Sequence, residues 1–127
     1  MHELSIMQAL FEQLQGIARE YGARRVLKFR VEVGPLSNVV PELLYDAFMA
    51  FRAAEPLLEK AEMDLIRVPL RLRCADCGEV TEPQGFRMVC GSCGSKRVEV
   101  VQGEDLLLRD VELEIPEEAL NEQNSES

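Results

Sequence analysis

The chain has 127 residues, of which 46% are apolar and 29% charged, and a formal net charge of −9. This size and balance are typical of one folded domain, or of a small domain that carries a smaller one, and they exclude a disordered chain. No apolar run approaches the roughly 20 residues of a membrane-spanning helix, and the first residues do not form a signal peptide, so we expect a cytoplasmic protein without a membrane partner.

The negative charge is concentrated at the C-terminal end. Residues 98–127 contain one basic and ten acidic side chains, whereas residues 1–69 and 70–97 are close to neutral. Such a chain gains no electrostatic attraction to phosphate backbones, which argues against a nucleic-acid partner. The stretch after Pro116 is polar and acidic, so residues 117–127 are predicted to form a flexible acidic tail.

Helical and strand periodicities follow one another at the start of the chain. From Leu4 to Tyr21, apolar side chains recur at steps of three and four residues, which predicts a helix with one buried face. Leu4 and Tyr21 are predicted to lie on that face. Alternation between Val26 and Val33 then predicts a half-buried strand. Its buried face is predicted to contain Leu27, Phe29, Val31 and Val33.

A second helix and two further strands are predicted after this strand. The helix begins at Pro41, because proline suits the first turn of a helix. Its buried stripe is predicted to contain Leu43, Leu44, Ala47, Phe48 and Phe51. Residues 61–68 alternate in the manner of a strand, which Pro69 ends. Residues 104–115 contain a third strand, which Pro116 ends and whose alternation is clearest at Val111, Leu113 and Ile115.

The order of these elements predicts an α/β (α+β) fold in two layers. It would contain a small three-stranded mixed sheet packed by two helices, with an insert before the third strand. A strand–helix–strand crossover favours parallel pairing of the first two strands. Residues 1–69 together with 98–116 would form the α/β domain, and residues 70–97 the insert.

Four cysteines occur in the insert as two C-x2-C pairs, separated by twelve residues, with a glycine after each pair. Two such turns that face each other create a tetrahedral site of four sulfur ligands, as in a zinc ribbon. A rubredoxin-like iron site and a disulfide or free thiols are the alternatives. A zinc ion bound in this way has no open position for a substrate, so its role would be structural. The predicted ligands are Cys74, Cys77, Cys90 and Cys93.

The only histidine of the chain is His2. The α-amine, the amide of residue 2 and the imidazole can close chelate rings around one metal ion, and a further amide completes a planar set of nitrogen ligands. Such a set suits Ni(II) or Cu(II). Glu3 would contribute its backbone amide, with its carboxylate in the outer shell. The alternative interpretation of His2 is an exposed side chain at the end of the chain.

Three segments together resemble the HypA/HybF family of hydrogenase nickel-incorporation proteins, which act as nickel metallochaperones. They are the start Met1-His2-Glu3-Leu4-Ser5, the segment Val31–Ser37 followed by Pro41-Glu42, and the paired C-x2-C motifs. The resemblance extends from residue 1 to about residue 115, and the acidic tail lies outside it.

The resemblance implies a nickel site at Met1, His2 and Glu3, and structural zinc on the four cysteines. It also implies delivery of nickel to the large subunit of a [NiFe]-hydrogenase, together with a nickel-handling GTPase. We expect a monomer or a homodimer. No enzymatic activity is expected, because the sequence contains no Ser/His/Asp or Cys/His arrangement and no carboxylates around an open metal position.

A zinc-ribbon interaction module in transcription or translation is the competing function. The cysteine motifs support it, because such ribbons are common in these proteins. The acidic balance of the chain argues against it, and so does the insert, in which Phe86 is the only aromatic residue that could stack on a base.

Overall fold

A computed structural model of the chain describes residues 2–117. The helices are α1 (His2–Tyr21) and α2 (Pro41–Ala54), and a 3-10 helix spans Pro56–Leu58. The strands are β1 (Arg25–Val33), β2 (Glu62–Arg67), β3 (Arg71–Cys74), β4 (Val80–Thr81), β5 (Val98–Gln102) and β6 (Leu106–Glu114). Both predicted helices and all three predicted strands are confirmed. The predicted tail lies outside the described residues, except for Glu117.

The strands form two three-stranded sheets, with the orders β2-β1-β6 and β4-β3-β5. The pairing of β1 with β2 is parallel, because residues later in β1 form ion pairs with residues later in the segment that contains β2. Arg25 contacts Glu59 just before β2, and Arg30 contacts Asp64 within it. The connection through α2 supplies the crossover that parallel pairing requires.

The pairing of β1 with β6 is antiparallel. Arg25 contacts Glu114 at the end of β6, whereas Arg30 contacts Asp110, which lies earlier in that strand. β6 therefore runs in the opposite direction to β1. The first sheet is mixed, and the predicted α+β architecture is confirmed.

The chain divides into two compact units. The first contains the described residues up to Val31, then Val39–Leu65, and those from Leu108 onward, so it includes both α-helices. The second contains Glu32–Asn38 and Ile66–Leu107, so it includes the second sheet and the four cysteines. Within residues 2–117, no helix is long and apolar enough to cross a bilayer.

The core of the first unit is built from α1, α2 and β1. The rings of Phe11 in α1 and Phe51 in α2 have centroids 5.6 Å apart, and Phe29 of β1 packs edge-on against Phe48 of α2 at 5.5 Å. Each such pair adds about 0.5–1.5 kcal/mol beyond the apolar area that it buries. The other buried side chains of these three elements include Met7, Leu10, Leu14, Ala18, Val26, Val31, Leu44 and Ala47.

Four side chains predicted to lie on buried faces are exposed, and for these the prediction was wrong. They are Leu4, Tyr21, Leu27 and Leu43. In β1 the reason is local, because two residues instead of one separate the buried side chains of Val26 and Phe29. Strict alternation counted back from Phe29 therefore selects Leu27, whereas the structure buries Val26 completely.

The second sheet lies around the cysteine pairs, and its strands were not predicted individually. β3 pairs antiparallel with both β4 and β5. Leu72 in β3 is fully buried and Leu70 just before it is nearly so, but Phe86 and Met88 are exposed. Few large apolar side chains therefore support this unit, which is typical of a small fold that depends on a bound metal.

Candidate metal centres

The four cysteine side chains converge in the second unit. All four Sγ atoms lie within 4.8 Å of one another, and the Sγ–Sγ distance is 3.6 Å from Cys74 to Cys93 and from Cys77 to Cys90. A disulfide bond would measure about 2.05 Å, and all four cysteines are free. A tetrahedron with zinc–sulfur bonds of about 2.3 Å has sulfur–sulfur edges of about 3.8 Å. The cluster therefore has the dimensions of a four-sulfur zinc site.

Each C-x2-C turn directs two backbone N–H groups at the sulfur of its first cysteine. The N–H groups of Asp76 and Cys77 donate to the Sγ of Cys74, with donor–sulfur distances of 3.3 and 3.4 Å. The second turn repeats this arrangement at Cys90 with the same two distances. In both turns the first cysteine is buried and the second is exposed. The turns are thus built alike, and each stabilises one buried thiolate.

A glycine closes each turn in a conformation that other residues rarely adopt. Gly78 has a φ of +78° and Gly94 a φ of +77°. Their N–H groups donate to the carbonyl oxygens of Cys74 and Cys90, at 3.0 and 2.9 Å. Because a Cβ is strained at positive φ, these positions explain the glycine that follows each C-x2-C pair.

The hydrogen bonds divide the four thiols into two kinds, those with a lowered pKa and those with a raised pKa. Backbone N–H groups, first that of Cys93, lower the pKa of Cys90 to about 6. The N–H of Cys77 is the main cause that lowers the pKa of Cys74. For Cys77 itself, the N–H of Glu79 acts to lower the pKa, but local desolvation of the sulfur and the neighbouring thiols outweigh it and raise the pKa to about 12. Four thiolates at these distances repel one another, so a cation is needed to keep all of them ionised.

The donor set fits a structural zinc ion. Among residues 2–117, these cysteines form the only group of three or more His, Cys, Asp or Glu side chains arranged to hold a metal. Four thiolates fill a tetrahedral zinc shell and leave no position for water or substrate. The sequence-based expectation that the cysteines come together is confirmed.

The predicted nickel residues lie at the beginning of α1. His2 is the first residue of this helix, and its side chain is exposed. Glu3 follows it in the first turn. Met1, whose α-amine belongs to the predicted site, lies outside the described residues. The structure therefore describes two of the three residues, which are consecutive in the chain.

Glu3 is the one charged side chain that is buried within the described part of the chain, with 8% of its surface exposed. Its Oε2 accepts a hydrogen bond from the backbone N–H of Val40, 3.4 Å away, at the residue that precedes α2. The side chain of Val40 has no acceptor that could cap α2. The Glu3 carboxylate supplies an acceptor and a negative charge near this position, and the N-terminus of a helix favours both. Its own N–H, that of Val40 and the nearby His2 lower the pKa of Glu3, against the opposing effect of burial.

The burial of Glu3 was not predicted, although the sequence carries a signal for it. Glu3 precedes Met7 by four residues and Leu10 by seven, so all three lie on one face of a helix. A charged residue on a buried face needs a polar partner. Here that partner is a backbone N–H, which sequence periodicity cannot identify.

Curated relatives match the chain over nearly its full length. The hydrogenase maturation factor HypA of Aquifex aeolicus is 39% identical over 115 residues, which cover 91% of this chain and 99% of the relative. The protein of the same name from Shewanella halifaxensis is 40% identical over 114 residues, which cover 90% and 98%.

A solved structure shares the fold. The solution structure of the Ni metallochaperone HypA from Helicobacter pylori aligns with a TM-score of 0.71 and 27% identity, and covers 90% of this chain and 98% of that one. The HypA family model, described as hydrogenase/urease nickel incorporation and metallochaperone, matches residues 1–113. This chain belongs to the HypA family, and the family predicted from its motifs is confirmed.

Proposed function

We propose that this HypA-family chain binds Ni(II) at its N-terminus and delivers it during maturation of a [NiFe]-hydrogenase. The family consists of nickel metallochaperones for hydrogenase maturation, and the match begins at residue 1. The observation that carries the proposal is the pairing of an exposed His2 with a Glu3 carboxylate that accepts a hydrogen bond from Val40, the residue before α2. The chain acts as a carrier and not as an enzyme.

The nickel ligands proposed here come from the main chain as well as from one side chain. They are the α-amine of Met1, the amide and imidazole of His2, and the amide of Glu3, a planar nitrogen set that suits Ni(II). The first N–H groups of an α-helix have no partner within the helix. Nickel can therefore displace these amide protons without breaking the main-chain hydrogen bonds of α1, although the contact of the Glu3 N–H with its own carboxylate is lost.

The position of this site suits a metal that must be released. The N-terminus of α1 carries the positive end of the helix macrodipole, which disfavours a bound cation. The carboxylate of Glu3 and the ionised amides offset this effect locally. A partner that supplies better ligands, such as thiolates, can then draw the nickel away.

We assign the four cysteines to structural zinc. The sulfur ligands form a closed set, and the surrounding unit has few large apolar side chains. Binding of zinc would supply folding free energy that the small core does not. The zinc ion is a resident of the protein, whereas nickel is its cargo.

The proposed partners follow from family membership. They are the large subunit of a [NiFe]-hydrogenase as nickel acceptor and a nickel-handling GTPase, in the cytoplasm, with the chain as a monomer or a homodimer. The alternative of a zinc-ribbon module in transcription or translation is not favoured, since the family match covers residues 1–113.

A nickel titration of the zinc-loaded chain tests this proposal. One equivalent of Ni(II) at neutral pH should produce the d–d absorption of a planar nitrogen complex. His2→Ala should abolish this absorption and leave thermal unfolding unchanged, because the His2 side chain is exposed. Gln13→Ala, at another exposed position of α1, serves as the control and should keep the absorption. An unchanged spectrum in His2→Ala would exclude the N-terminal site.

A further inference from the structure

A group of polar side chains joins the two cysteine turns beside the sulfur cluster. The carboxylate of Asp76, in the first turn, accepts a hydrogen bond from Arg97 Nη1 at 3.0 Å and another from the Ser95 hydroxyl. The backbone N–H of Arg97 donates to the Oγ of Ser95 at 3.1 Å. Asp76, Ser95 and Arg97 are together called the inter-turn bridge.

The inter-turn bridge is connected to a cysteine at each end, to the sulfur of Cys74 and to the backbone N–H of Cys90. The backbone N–H of Asp76 donates to the Sγ of Cys74, at 3.3 Å. The carbonyl oxygen of Ser95 accepts a hydrogen bond from the N–H of Cys90, at 2.8 Å. Cys74 and Cys90 are the two buried cysteines of the cluster. Residues of the bridge therefore orient one ligand-bearing segment in each turn.

We propose that the inter-turn bridge holds the two cysteine turns together and thereby sets how long the metal ion stays bound. The proposal rests on the assignment of the cysteines to zinc. With the ion held by the four cysteines, the bridge would keep both turns in place, so a thiolate that came away would stay near the ion and could bind it again. Asp76 acts as a positioning residue in this account, since its N–H contacts the Sγ of Cys74 and its carboxylate holds Ser95 and Arg97.

A purely electrostatic role of Asp76 predicts the opposite result. Four thiolates and Zn²⁺ carry a net charge of about −2, so a nearby carboxylate disfavours the loaded site. Removal of that charge should slow the release of zinc. Loss of a positioning contact should accelerate it, and the direction of the change therefore distinguishes the two roles.

Asp76→Asn separates these effects. The substitution keeps the size of the side chain and removes its charge. The one remaining oxygen of the asparagine is a weaker acceptor for Arg97 than a carboxylate, and the NH₂ group can no longer accept from the Ser95 hydroxyl, so the contacts of the bridge are weakened. Glu99→Gln is the matched control. Glu99 forms an ion pair with Arg73 at 3.6 Å in the same sheet, but it lies in β5, outside both cysteine turns.

The measurement is the rate at which full-length, zinc-loaded chains lose zinc to an excess of a coloured chelator. Asp76→Asn should release zinc about 3- to 10-fold faster than the wild type. Glu99→Gln should release it at the wild-type rate or more slowly. Ser95→Ala removes a bridging hydroxyl without a change of charge and should also accelerate release. The cobalt-substituted form of Asp76→Asn should keep the absorption of a four-sulfur site, which shows that the ligands are unchanged.

Release from Asp76→Asn at or below the wild-type rate overturns the proposal. If Asp76→Asn does not fold, the rate of Ser95→Ala decides by the same criterion. A wild-type chain that holds no zinc on its four cysteines would instead contradict the zinc assignment itself. The two failures are distinguishable, because the zinc content of the wild type is measured before any rate.

Discussion

The carboxylate of Glu3 accepts a hydrogen bond from the backbone N–H of Val40, with 3.4 Å between the two atoms. This bond connects the proposed nickel segment to the residue before α2. It sets the orientation of Glu3 without any help from a metal. One oxygen of this carboxylate therefore already has a partner in Val40 when nickel is held by the main chain and by His2, which supports an outer-shell role for the carboxylate.

Glu3→Gln should change nickel binding only modestly and impair nickel transfer more than binding. The glutamine oxygen can still accept the hydrogen bond from Val40, whereas the negative charge near the nickel is lost. Nickel titration and nickel transfer to a hydrogenase large subunit, measured side by side, check this expectation. Equal loss of binding and transfer would place the Glu3 carboxylate among the direct ligands.

Glu3→Ala serves as the companion variant. Unlike Glu3→Gln, it should clearly lower the melting temperature of the protein. It removes the acceptor of the Val40 N–H and the negative charge at the start of α2. Glu3→Gln should melt closer to the wild type. Identical melting of all three chains would show that the contact with Val40 does not stabilise the fold.

The substitution of glycine by alanine should have opposite effects at two positions. Gly16 lies in the interior of α1 and nothing lies within 4 Å of a Cβ built there, so Gly16→Ala should stabilise the protein by roughly 0.5–1 kcal/mol. Gly103 has a φ of +100°, and a Cβ there would lie 2.9 Å from the Cα of Leu70. Gly103→Ala should therefore destabilise the second unit. Thermal unfolding of both variants beside the wild type checks the signs, and a more stable Gly103→Ala would contradict the close approach.

Acid should remove zinc more readily from Cys90→Ala than from Cys77→Ala. As the pH falls, the thiolate with the higher pKa is protonated first. The backbone N–H groups of Ser92 and Cys93 donate to the Sγ of Cys90, at 3.3 and 3.4 Å, and lower its pKa, whereas the pKa of Cys77 is raised, so the Cys90 thiolate competes better with protons. Zinc retention measured against pH should show a midpoint at higher pH for Cys90→Ala. The reverse order would show that the backbone N–H groups at Cys90 do not govern metal retention.

Local patterns in the sequence were sufficient to predict both α-helices, the three strands of the first sheet and the cysteine cluster, but not the strands of the second sheet. The apolar spacing predicted both helices, because each helix buries one face. The C-x2-C-G motif predicted converging sulfurs, because the geometry of such a turn depends on a few consecutive residues. The motifs at the start of the chain and in the insert identified the family.

The contacts that position these groups were beyond prediction from sequence. Glu3 and Val40 are 37 residues apart, and Asp76 and Arg97 are 21 apart. Each contact depends on how separate elements pack, which no periodicity encodes. The exposed Leu27 shows the same limit within one strand. Two residues instead of one separate the buried Val26 and Phe29, so the buried and exposed positions before Phe29 are exchanged relative to strict alternation.

The nickel affinity of a chain that carries a two-residue N-terminal extension tests the N-terminal site most directly. The extension moves the free α-amine away from His2 and leaves the described residues unchanged. Zinc-loaded chains would be titrated with nickel at neutral pH against a competing chelator, with the same two residues added at the C-terminus as the control. The N-terminal extension should abolish high-affinity binding without altering thermal unfolding, and the C-terminal addition should have no effect. Full nickel affinity in the N-terminally extended chain would contradict the proposed site.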